Sequence, residues 1–159
     1  MVARVVGFRF RPGSFRARQR ELGLDEAGVD ELVEDFWRWY VGTLDRELFD
    51  WFAGLRERGF VVGILSNSAP GARERERCWG FEAITDDIVY SHEVGLVKPD
   101  PAIFRLLIDR HRLDPASTVF IDDSIPNVEA AARLGFRSVA FTGAPELRRA
   151  LAALGVLPS

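Results

Sequence analysis

Three short clusters carry the side chains best suited to chemistry. The run Leu65-Ser66-Asn67-Ser68 closes a near-continuous apolar stretch, and Gly71 follows where a helix can open. A hydroxyl and an amide at the carboxyl end of a parallel strand, facing a helix N-terminus, can hold a phosphate oxygen. Ser and Asn are also ordinary turn residues, so this run alone is a weak sign. The second cluster is GLVKPDP, from Gly95 to Pro101. Pro99 biases Lys98 to an extended backbone and Pro101 starts the next helix, which fixes the place of the ammonium in the loop. Lys98 is the only lysine of the chain, and a solvated surface lysine is its plainer reading. The third cluster is Asp122-Asp123-Ser124 after Val119-Phe120-Ile121, with Asn127 close behind. Two adjacent carboxylates at the end of a buried strand repel each other and want a cation, for which a hard metal is the natural candidate. Capping a helix N-terminus is the alternative role for one of them.

The elements that must position these clusters follow from periodicity. From Phe60 onward, short β-rich runs alternate with helical patterns, the mark of parallel βαβ units. Phe60 to Leu65, Thr118 to Ile121 and Ser138 to Phe141 read as strands buried on both faces. Between them, Asp100 caps a helix that begins at Pro101 and buries Ile103, Leu106 and Leu107. A second helix carries Val128, Ala131 and Ala132 and stops at Gly135; a third carries Leu147, Ala150, Leu151 and Leu154 and stops at Gly155. Asp25 to Arg58 differs, with two successive helical patterns and no strand between them. Val29, Leu32, Val33, Phe36 and Tyr40 share one helical face, and Leu48, Trp51, Phe52 and Leu55 share another. Trp37, Trp39 and Trp51 lie in this region; aromatic stripes at helical spacing are more often packing than ligand sites, but Trp39 falls off the apolar face, where a ligand or partner could meet it. The expectation is a doubly wound (Rossmann-like) α/β domain with a parallel sheet.

Composition limits the function classes. A length of 159 residues with 47% apolar content suits one domain with one buried core. A net charge of −3 argues against non-specific nucleic-acid binding. One cysteine, Cys78, permits no internal disulfide, and no cysteine and histidine group has zinc spacing. Arginines in and after the short N-terminal apolar run are unlike a signal peptide, and no stretch is long enough to span a bilayer. A cytoplasmic location is expected.

Taken in order, the clusters resemble the haloacid dehalogenase superfamily, in particular its small-molecule phosphatases with a helical cap. LSNS resembles the second motif, which makes Ser66 the phosphate-binding hydroxyl with Asn67 beside it. SHEVGLVKPDPAIF resembles the third, with Lys98 neutralising phosphate and nucleophile, while His92 reads as incidental. FIDDSIPNVEAAARLGF resembles the fourth, with Asp123 binding magnesium directly and Asp122 in support. The resemblance runs from about Asp25 to the C-terminus and implies Mg2+ as cofactor and a small phosphorylated molecule or inorganic anion as ligand. It also divides the chain into a short cap-like region at about 14–57, roughly half the usual insert, and a core of 1–13 and 58–159.

The family's first motif, an FDxDGT-like stretch that supplies the nucleophile and the general acid and base, has no counterpart here. No two aspartates of the chain stand two residues apart. If Val2 to Phe10 is the first strand, Arg9 and Arg11 fall at the two aspartate places, with Pro12 inserted. Alternatively, Gly13-Ser14-Phe15 and the following helical run match the end of a cap, and the chain lacks its first strand. A missing central strand would leave unpaired edges inside the core, which favours the arginine placement. The guanidinium groups would then pair with Asp122 or Asp123, and magnesium binding would be weak. The expected function is a catalytically impaired binder of an anion, a phosphorylated metabolite or a protein partner. The rivals are an active magnesium-dependent phosphohydrolase with an unusual N-terminus, for which Glu93, Asp86 and Asp87 are poorly placed, and a structural module that dimerises through its aromatic helices.

Overall fold

The computed structural model describes residues 2–3 and 23–156, the first two by their backbone alone. Five parallel strands form one sheet: β1 (Val2–Ala3), β2 (Gly63–Ser66), β3 (Asp87–Tyr90), β4 (Val119–Asp122) and β5 (Arg137–Ala140), in the order β3-β2-β1-β4-β5. This is the doubly wound α/β arrangement that the alternating pattern predicts. The chain's own N-terminus fills the centre, with Val2 opposite Gly63 on one side and Phe120 on the other. Arg9 and Arg11, and with them the arginine placement, lie outside the described residues.

Alternation within the strands feeds two faces. Leu65, Val89 and Phe120 point to the face covered by α6 (Pro101–His111) and α7 (Ile125–Arg133), where they pack with Phe104, Leu107, Ala130 and Ala131. Phe104 meets Phe120 edge to face at 5.2 Å between ring centroids. Each such fully buried side chain contributes about 1.5–3 kcal/mol relative to exposure. The other face carries two clusters. Val119 and Ile121 meet Leu55 of α2 (Arg46–Glu57) and Leu147 and Leu151 of α8 (Ala144–Ala153). Ile64, Ile88 and Tyr90 meet Trp37 and Tyr40 of α1 (Glu26–Val41) and Ala72 of the short α3 (Ala72–Glu76). Both helices of the Asp25 to Arg58 region therefore lie on the sheet, and two single-turn helices, α4 (Phe81–Ile84) and α5 (Ser91–Val94), precede and follow β3. Asp25 and Asp45 cap α1 and α2 by accepting from the backbone N–H of Gly28 and Leu48.

Several expected details shift. β2 starts at Gly63, not Phe60, and Val61 is half exposed. The buried stripe of α6 is Ile103, Phe104 and Leu107, with Leu106 only partly covered. In α7 the inward residues are Asn127, Ala130 and Ala131, whereas Ala132 faces solvent and Val128 is intermediate. Trp37 rather than Phe36 is the most buried aromatic of α1, and it sets a limit on its neighbour. Gly71, at φ 94, opens α3, and a Cβ there would lie 3.2 Å from the Trp37 ring. Glycine is required at that junction by both backbone and space.

Candidate functional site

The three clusters meet at the carboxyl ends of β2 and β4. Lys98 enters from the loop before α6 and is 2% exposed despite its charge. Its Nζ donates to Asp122 Oδ2 at 2.7 Å and to the backbone carbonyl of Leu65 at 2.7 Å, and stands 5.8 Å from the Phe120 ring centroid. The solvated-lysine alternative is thereby excluded. Asp122, fully buried, accepts three hydrogen bonds in all: Oδ1 takes the backbone N–H of Ser124 at 2.9 Å and Asn127 Nδ2 at 2.9 Å, while Oδ2 takes Lys98. Burial of a carboxylate on this scale demands such a complete set of donors.

Asn67 does not face the cradle as a free amide. Its Nδ2 donates to the Lys98 carbonyl at 2.9 Å and its Oδ1 accepts the Lys98 N–H at 2.8 Å, which fastens one loop to the other. Ser66, by contrast, is 1% exposed, and among the described residues its Oγ has no hydrogen-bond partner. A buried hydroxyl left open is uncommon and calls for a partner, such as a water or a ligand oxygen. Asp123 stands beside the pair at the surface end of β4. Partial burial, then the adjacent Asp122 charge, pushes its carboxyl above the ordinary aspartate value, and a backbone hydrogen bond and the Lys98 charge offset only part of this.

Sequence reading missed the strand β3 and the clamp it brings. Ile88-Val89-Tyr90 after the turn at Asp86 was the available sign. Ser91, at the end of β3, accepts the Ser68 N–H with its Oγ at 2.8 Å and donates to the Ser68 carbonyl at 3.3 Å. His92 Nδ1 lies 2.8 Å from Ser68 Oγ. Glu93 forms a two-point pair with Arg73 at 2.7 and 2.8 Å, and Asp86 and Asp87 are held by Arg56, Arg110 and His111 at the opposite end of the strands. None of these three acids stands with Lys98. An apolar cavity of about 490 Å³ lies elsewhere, walled by Trp39, Phe49, Phe52, Trp79 and Phe81 among others, and includes none of the strand-end polar residues.

A family model described as haloacid dehalogenase-like hydrolase matches residues 10–135. The chain belongs to that family. This haloacid dehalogenase-like chain is 30% identical over 122 residues to a phosphatase of Mycobacterium tuberculosis, covering 75% of the chain and 55% of the relative. It is 32% identical over 137 residues to the phosphoserine phosphatase of Thermus thermophilus, covering 80% and 54%. The chain thus spans about half the length of the curated relatives it matches. Among solved structures, a predicted HAD-like hydrolase from Porphyromonas gingivalis superposes with a TM-score of 0.68 at 28% identity, over 90% of this chain and 74% of that one. A HAD family enzyme from Bacteroides thetaiotaomicron, in complex with magnesium and inorganic phosphate, gives 0.64 at 26% identity, over 82% and 69%.

Whether magnesium fits this haloacid dehalogenase-like chain turns on the donors present. Asp122 is occupied by Lys98, Ser124 and Asn127, which leaves Asp123 as the carboxylate open to a hard cation. Among the described residues no group of three acidic, histidine or cysteine side chains stands together. A magnesium ion takes six oxygens in near-octahedral array, several of them usually water, and is commonly held by one or two carboxylates; among the described residues Asp123 is the one left for it at the ends of β2 and β4. Among the described residues, no helix is long and apolar enough to cross a membrane.

Proposed function

We propose that this haloacid dehalogenase-like domain binds a phosphate-bearing small molecule or an inorganic anion at the carboxyl ends of β2 and β4 and does not carry out the family's aspartyl-phosphate chemistry. The observation that carries this reading is the buried Ser66 Oγ, open among the described residues, next to a Lys98 ammonium already committed to Asp122. The relatives named as phosphatases support the ligand class. The absence of any Asp-x-Asp pair in the sequence supports the loss of turnover, because a covalent mechanism without its nucleophile retains only binding and electrostatics.

Charge refines the reading. Lys98 is opposed by both Asp122 and Asp123, so the described cradle is negative overall and an anion needs a further cation. Arg9 and Arg11 are assigned that part, with bound Mg2+ correspondingly weak. Residues 14–57 are read as the remnant of a helical cap, of which α1 and α2 pack on the sheet through Trp37, Tyr40 and Leu55. A cytoplasmic location belongs to the same reading.

The test has two arms. Sulfate or phosphate should raise the unfolding temperature in a concentration-dependent way, by mass action on the folded state. A generic phosphate monoester should not turn over in the presence of magnesium. Magnesium-dependent turnover that disappears in Asp123→Asn would establish the rival reading, an active phosphohydrolase. Absence of any anion-dependent stabilisation would leave the structural or dimerising module as the surviving reading.

A further inference from the structure

The loop that carries Ser66 is clamped on two sides. On one side Asn67 exchanges two hydrogen bonds with the Lys98 backbone, at 2.9 and 2.8 Å. On the other, Ser68 is held by Ser91 through its N–H and carbonyl, and by His92 through its hydroxyl at 2.8 Å. Every tie but one is made by groups that keep their charge across the physiological range. The exception is His92, since imidazole is the side chain that changes charge between about pH 5 and 8.

We infer that His92 is a positioning residue for the anion site: its protonation reverses the Ser68 hydrogen bond and tightens the hold of the loop on an anion. This rests on the anion-binding reading above. In the neutral ring with its hydrogen on Nε2, Nδ1 accepts and the Ser68 hydroxyl spends its hydrogen on the imidazole. Once Nδ1 carries a proton it donates, the Ser68 oxygen accepts, and the hydroxyl hydrogen is released to an incoming oxygen. The change also places a cation beside a cradle whose described charges are net negative.

The surroundings of His92 allow this. Tyr90 packs against the ring at 5.9 Å between centroids. Glu93, the charged neighbour on the same short helix, is tied by Arg73 of α3 in a two-point pair, so its charge is largely compensated. Arg73 in turn lies over the Tyr90 ring at 4.7 Å. Beyond Asn67 stand the mutually neutralised Lys98 and Asp122, and then Asp123. Among the described residues, no carboxylate is hydrogen-bonded to the imidazole to fix its charge.

Sulfate is the probe, because it does not titrate in the relevant range. Its affinity for the full chain, measured by calorimetry, should rise roughly three- to tenfold from about pH 8 to about pH 5.5, as expected for one added charge at close range. His92→Asn, which can still accept from Ser68 but cannot charge, should bind with the alkaline affinity at every pH. Asp123→Asn should keep the rise, which separates His92 from the nearby carboxylate. By reciprocity, saturating sulfate should move the His92 titration followed by NMR to higher pH. A flat wild-type profile with sulfate still bound, or an equal rise in a folded His92→Asn, overturns the role of His92 alone. No sulfate binding at any pH removes the anion-site reading itself. Should His92→Asn fail to fold, the NMR midpoint with and without sulfate decides the matter on the native chain.

Discussion

Lys98 and Asp122 form an ion pair of 2.7 Å in which neither side chain is exposed to solvent. Such a pair, cut from one side, leaves a charge stranded in the interior. Lys98→Met or Asp122→Leu alone should therefore cost about 3–5 kcal/mol in urea unfolding, well above the ~1 kcal/mol ceiling of a surface pair. The double variant should lose less than the sum of the two. Additive losses would show that the pair is not the unit of stability. It follows that Lys98→Ala is a poor probe of anion binding, because it disturbs the fold as well as the charge.

Ser66 is the cleaner probe. Its Oγ has no partner to lose among the described residues. Ser66→Ala should shift unfolding free energy by less than about 1 kcal/mol, since no intramolecular hydrogen bond is broken. The stabilisation by sulfate or phosphate should nevertheless fall away in a thermal scan. An undiminished anion-dependent shift in Ser66→Ala would place the anion elsewhere.

The fold was legible in the sequence because its signals are local. β4 is an apolar run ending in acids, and α6 announces itself with Asp100 and Pro101, whose cap accepts from Ala102 N–H as expected. Ser66, Asn67, Lys98, Asp122 and Asp123 were singled out by residue type and do converge. Their division of labour was not legible, because it depends on contacts between residues far apart in the chain. Asn67 clasps a backbone 31 residues away, and Lys98 reaches Asp122 across 24. The arginine partners expected for Asp122 or Asp123 lie outside the described residues, within which Asp122 is the buried carboxylate and Lys98 its partner. His92, read as incidental, proved to touch the loop of Ser66 through Ser68.

A second buried acid went unnoticed for the same reason. Glu76, 1% exposed, accepts from the Tyr90 hydroxyl at 2.8 Å beneath α3. Tyr90→Phe keeps the ring and the packing yet removes that donor. Leaving a buried acceptor without its donor should cost about 1–3 kcal/mol in equilibrium unfolding. A loss within about 0.5 kcal/mol, the range of an ordinary surface substitution, would mean that Glu76 does not rely on Tyr90.

Asp123 should act in the opposite sense to Asp122. Partial burial, and then repulsion from Asp122, raise its carboxyl pKa in the folded protein above the ordinary value. The folded chain therefore holds this proton more tightly than the unfolded chain. Below the ordinary aspartate range both states are protonated and the residue has no effect. As pH rises from that range through the raised folded value, the unfolded state ionises first, and Asp123 becomes a burden on the fold that persists at neutral pH. Asp123→Asn removes the titration while keeping the shape. The stability of Asp123→Asn relative to the wild type should therefore grow as pH rises through the carboxylate range and level off above it, followed by urea midpoints in a low-anion buffer. The same variant should bind sulfate more tightly than the wild type at neutral pH, because one of the two negative charges facing Lys98 is gone. Asp123→Asn less stable than the wild type at pH 7, with weaker sulfate binding, would show that the carboxylate is paired with a cation in the folded chain and that its charge supports the site.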